Sequence, residues 1–144
     1  MTRRVVTGHD AKGRAMILHD DAAPNVKRRA SGLVSTLLWT TDESPADVRR
    51  SDDRAAREIG IPPPENGSIF RIVDFPPGAK GEMHRTRSID YAVVVEGEIA
   101  MLLPHGEVHL RAGDALVQQA TDHAWENRGN ANCRIAFILI DAKA

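Results

Sequence analysis

The chain has 144 residues, 42% of them hydrophobic and 27% charged, with a formal net charge of -1. That is the size and balance of one soluble globular domain, and the near-neutral charge supplies no field for holding a nucleic-acid backbone. No apolar run reaches the roughly eighteen residues of a membrane span, and the start MTRRVVTGHDAKG is polar, so no membrane partner and a cytoplasmic location are expected. A lone cysteine, Cys133, excludes an internal disulfide and cysteine-based zinc sites.

Arg3 to Gly8 and Arg14 to His19 are β-prone runs joined by the turn formers HDAKG, which predicts an N-terminal hairpin. Ala22 to Arg29 shows neither period, and Gly32 to Thr40 reads as a further strand. From Thr41 to Gly67 the chain is highly charged and holds four prolines. Ser44-Pro45 is a helix-start signal and Gly60 a stop, so one short helical insert is predicted over Ala46 to Ile59.

From Ser68 onward SIFRIVDF, SIDYAVVVE, EIAMLL, EVHL, DALVQQ and RIAFILID follow one another across PPG, EG, PHG, AG and RGNAN turns or loops. That spacing predicts an all-β sandwich or barrel of antiparallel strands. The organisation expected is residues 1–67 as hairpin, strand and insert packed on a barrel core of residues 68–144, one structural domain in all. AVVV and RIAFILI are apolar on both faces, which predicts that one face lines the barrel while the other meets a second sheet or a partner subunit.

His84 and Thr86 share strand parity, Asp90 opens the next run, and His123 follows the strand Ala115 to Gln119. Two imidazoles and a carboxylate converging in a barrel would suit Fe(II), Mn(II), Ni(II) or Zn(II) as a facial set, or serve without metal as an acid/base set. Arg71, in the otherwise apolar FRIV, is a candidate to point inward. Trp125 shares parity with His123 and is expected to wall the pocket. One of Gln118 and Gln119 must face inward, and Gln119 is the expected ligand contact.

The stretch Gly78 to Gly97 resembles the first signature of the cupin superfamily: a glycine, five residues, His-x-His, three or four residues, Glu, six residues, Gly. Here His84 holds the first histidine position, Thr86 the second and Asp90 the glutamate position, with Gly97 closing it. Gly113, His123 and Asn127 match the second signature, whose Pro-x-Gly core is replaced by Gln119, Ala120 and Thr121. The resemblance implies an RmlC-like double-stranded β-helix, the cupin jelly-roll barrel, and a homodimer. It further implies a small organic, carbonyl-bearing substrate, aromatic or polyketide-like, bound by Arg71, Thr86, Gln119 and Trp125. His84, Asp90 and His123 are then both the catalytic set and the metal ligands. The function implied is a metal-assisted lyase, isomerase or cyclase working by proton transfer, with an Fe(II) dioxygenase or a non-catalytic ligand-binding cupin as alternatives.

Overall fold

The structure, a computed structural model, describes residues 1–143. It is all-β, and every strand pairing is antiparallel. Strands β1 (Arg3–His9) and β2 (Ala15–Ala22) form the expected hairpin. A six-stranded sheet runs β3 (Asn25–Arg28), β4 (Val34–Thr41), β5 (Ser68–Phe75), β11 (Cys133–Asp141), β6 (Ser88–Glu96) and β9 (Ala115–Gln119). A three-stranded sheet holds β10 (Ala124–Glu126), β7 (Glu98–Leu103) and β8 (Gly106–Arg111). Because β4 pairs with β5, the residues ahead of Ser68 add two strands to the same sheet as the barrel core.

The core lies between the two larger sheets. Ile69, Val73 and Phe75 of β5, Ala92 and Val94 of β6, and Ile135, Phe137 and Leu139 of β11 pack in one cluster with Ile99, Met101, Leu110 and Trp125 from the smaller sheet. Alternation along β6 and β11 sends these side chains inward. It leaves Tyr91, Val93, Val95, Ile138 and Ile140 exposed on the outer face. Gly97, at the β6–β7 turn, has φ 79° and sits against the carbonyl of Asn132, so a side chain there meets both a backbone penalty and a clash.

Two features differ from the sequence expectation. Asn25–Arg28 is a strand, β3, at the sheet edge; its half-buried, mostly polar residues carry no readable period. The helix expected over Ala46 to Ile59 is absent, and that stretch is irregular. A helix would spend its carbonyls on its own amides, whereas here the carbonyls of Ala55 and Arg57 accept from Asn25, that of Ile59 from Lys27, and those of Gly60 and Ile61 from Arg71. Asp47 and Asp53 also accept from the amides two residues on, a local bond that competes with helix.

Arg4 fastens hairpin and insert together. Only 4% exposed, it forks onto Asp21 at 3.0 and 2.8 Å and onto Asp53 at 2.9 and 2.9 Å. Both carboxylates are held below the usual range, chiefly by the Arg4 hydrogen bonds. Asp53 in turn orders Ala55, which is fully buried in the core. Arg4→Ala is expected to cost about 3 kcal/mol in urea unfolding, near the lower end for breaking a buried pair because both aspartates keep some water. Arg3→Ala, which removes an exposed pair with Asp20, is expected to cost under about 1 kcal/mol.

Candidate functional site

The loop ahead of β6 runs antiparallel beside the segment leading into β10, with isolated bridges at Lys80–Glu126 and His84–His123. His84 N donates to His123 O, and His123 N to His84 O, each at 2.9 Å. This backbone pairing sets the two imidazoles side by side, ring centroids 4.4 Å apart and the planes tilted by 56°. Asn127, 1% exposed, secures the same junction by donating to the carbonyls of Phe75 and Ala131 and accepting from Gly129 N. The Asn of the second signature is therefore a staple of the loop.

Both histidines are oriented by their own backbone. His84 Nδ1 lies 3.0 Å from Glu82 O and His123 Nδ1 lies 2.8 Å from Thr121 O. A carbonyl only accepts, so each Nδ1 carries a hydrogen, and Nε2 is the lone-pair nitrogen of the neutral ring. His84 is exposed at the barrel rim, and His123 is 4% exposed beneath it. Burial holds the His123 imidazole below the ordinary histidine range, His84 pushing the same way and the Thr121 carbonyl opposing.

Asp90 stands one layer behind. Its carboxylate accepts from Ser88 Oγ and, at 2.9 Å, from Gln118 Nε2, and Gln118 Nε2 lies 3.4 Å from His123 Nε2. Asp90 and Gln118 are register partners on β6 and β9, which gives them a common inward face. Gln118 therefore occupies the inward place expected of Gln119, which is exposed. Both strand parities were readable from the chain; which residue of the pair faced the barrel depended on the β6–β9 register. With its amide nitrogen committed to Asp90, Gln118 leaves Oε1 buried and without a partner. Two imidazole nitrogens and this oxygen offer lone pairs only, so the site suits a proton-bearing group or a cation.

The fit to a divalent metal is partial. His84 and His123 present their Nε2 lone pairs, with both rings held through Nδ1 on backbone carbonyls, an orientation metal-binding histidines use. Asp90 does not join them: its oxygens are taken up by Ser88 and Gln118, and among the described residues no three His, Cys, Asp or Glu side chains come close enough to share one ion. The shorter aspartate, in place of glutamate, stays with its neighbours on the strand.

Trp125, 7% exposed, lies below His123 with centroids 6.3 Å apart, and packs on Phe75 and Phe137. Thr86 is buried in the loop just before β6. Arg71 points inward from β5, its guanidinium drawn down to about 10 mainly by burial and further by Arg29, with Asp90 opposing, and it remains charged at neutral pH. Arg85 pairs with Asp122 and Arg87 donates to Ala142 O, both on the exposed rim.

The Cupin domain family pattern matches residues 71–140. The chain is 35% identical to the "Cupin-domain-containing oxidoreductase srdD" of Neurospora crassa over 97% of its own length and 75% of that protein's. It is 37% identical to "Phomopsin biosynthesis cluster protein D" of Diaporthe leptostromiformis, covering 97% of this chain and 78% of that one. Among solved structures, the Cnp3 cupin domain of Schizosaccharomyces pombe superposes with a TM-score of 0.62 at 10% identity, covering 98% of this chain and 88% of that chain, a likeness of fold.

Asp90→Asn turns one acceptor oxygen toward donors as an NH2 group. It is expected to cost about 1–3 kcal/mol in chemical denaturation and to displace the His123 ring resonances in NMR spectra, whereas Gln119→Ala is expected to change neither.

Proposed function

The chain belongs to the cupin family, and on that premise we propose that it is a small-molecule enzyme that moves a proton on a carbonyl-bearing substrate, of lyase, isomerase or cyclase type. The observation that carries this reading is the His84–His123 pair, with both Nδ1 atoms tied to backbone carbonyls, so that each Nε2 is the acceptor nitrogen, that of His123 meeting only a long 3.4 Å contact from Gln118 Nε2. His123, kept neutral by burial, is the base that takes the proton from the carbon next to the carbonyl. His84, nearer solvent, returns it or exchanges it with water. Asp90 is a positioning residue: it holds the Gln118 amide, and Gln118 leaves Oε1 to accept from a substrate hydroxyl or amide. Trp125 floors the site and suits an unsaturated or aromatic substrate.

A divalent transition metal, where bound, would be held by His84 and His123 with water completing its shell, and would supply polarisation of the carbonyl. The naming of the Neurospora relative as an oxidoreductase favours a second reading, an Fe(II)-dependent dioxygenase using the same two histidines.

The protein is proposed to work as a homodimer. Phe70, Ile138, Tyr91 and Val117 are neighbours across four adjacent strands, β5, β11, β6 and β9, and form one row on the outer face. They are 40%, 39%, 43% and 60% exposed. A continuous apolar row of this kind is what a symmetric partner would cover.

Deuterium wash-in from D2O next to the carbonyl, followed by proton NMR across small aliphatic and aromatic ketones, tests the chemistry. Wild type is expected to accelerate exchange, and His84→Ala and His123→Ala to lower it by about 100- to 10,000-fold; exchange unaffected by either change rejects the role. Oxygen consumption dependent on added Fe(II) would favour the second reading. Light scattering after size exclusion is expected to give twice the chain mass for wild type and the single-chain mass for Tyr91→Glu with Val117→Glu.

A further inference from the structure

A second polar site lies on the β3 side of the barrel. Asn25 and Lys27 alternate along the edge strand β3, and Arg29 follows it with the same parity. They share a face with Ser35 and Leu37 of β4 and Arg71 of β5, through the registers Asn25–Leu37, Lys27–Ser35 and Leu37–Arg71. With Ile59 from the insert these side chains line a narrow cleft of about 20 Å³. Three cations thus face one small space whose lining holds no carboxylate.

Local charges do not neutralise them. Lys27 meets Glu58 at 2.9 Å, but Glu58 is 89% exposed, and a pair of that kind is weak. Among the described residues Arg29 and Arg71 take part in no ion pair. Arg71 is held by one nitrogen on the carbonyls of Gly60 and Ile61, at 2.9 and 3.3 Å. Its Nε is buried with no acceptor. A buried guanidinium N–H left unmade is costly, and an anion supplies the missing acceptor. The mutual push of Arg29 on Arg71 is relieved by the same anion.

We propose that this cleft is a carboxylate-binding subsite, in which Arg71 and Arg29 clamp the carboxylate of a small organic acid and Lys27 adds a third positive charge. A planar, two-oxygen group matches the guanidinium fork, and the cleft, about 20 Å³, is narrow for a tetrahedral phosphate. Arg71 shares the inward face of β5 with the core residues Ile69 and Val73, and the acid held here is read as one end of the substrate on which the barrel site acts. In naming that substrate class it rests on the enzymatic reading, but the binding itself does not.

The test is titration of the full chain with butyrate, with uncharged butyramide and with phosphate, followed through the arginine Nε–H resonances and the melting temperature. Butyrate is expected to shift the Arg71 signal saturably and to raise the melting temperature. Arg29→Gln, at an exposed position that leaves the fold intact, and Arg71→Gln are each expected to weaken butyrate by about tenfold or more. His123→Ala is expected to leave butyrate binding unchanged, so loss of turnover and loss of the subsite are read separately. Equal affinity for butyramide, or butyrate affinity unchanged in both arginine variants, overturns the subsite; tighter binding of phosphate than of butyrate overturns its assignment to carboxylates.

Discussion

Arg4 is the side chain on which the order outside the barrel depends. A buried guanidinium must have its N–H groups met, and the two carboxylates that meet them come from the hairpin and from the insert. Once Asp53 is fixed, Ala55 enters the core and the following carbonyls reach the sheet, where Asn25, Lys27 and Arg71 take them. The insert is thus a strap held by side-chain donors from β3 and β5, and its backbone is committed outward. It also sets the direction of Arg71, which ties the strap to the barrel interior.

Inside the barrel the same rule of satisfied polar groups decides chemistry. Asp90 is buried, and Ser88 and Gln118 both donate to it. A buried carboxylate hydrogen-bonded at both oxygens is a good anchor for a neighbouring amide, and here it stands apart from the two imidazoles. Gln118 transmits that anchoring toward His123, while the histidines take their orientation from the Thr121 and Glu82 carbonyls. The departures from the family signature therefore act in concert: Thr86 removes one imidazole, and Asp90 draws the carboxylate back from the remaining two.

The barrel was legible in the chain because alternation and turn chemistry are local. β5, β6 and β7 have the bounds that SIFRIVDF, SIDYAVVVE and EIAMLL suggested, and the family signatures pointed to the loop that carries His84 and the segment that carries His123. Short or edge elements were not legible: β10 has three residues, and β3 is half-buried and polar. The helix expected in the insert failed because helix-forming residues there are outbid for their carbonyls by side chains distant in sequence.

By itself the sequence determined the all-β class, most of the strands, and the residue types that could do chemistry, since each follows from patterns a few residues long. Tertiary structure decided which of them meet. The β6–β9 register turned Gln118 inward instead of Gln119, the His84–His123 backbone bridge brought two distant rings to 4.4 Å, and the hydrogen bonds around Asp90 kept it from joining them. It also gathered Lys27 and Arg29, from β3 and the residue after it, and Arg71, from β5, around one cleft. Pairing register and the partners of buried polar groups are properties of contacts between segments, and a linear pattern constrains them only weakly.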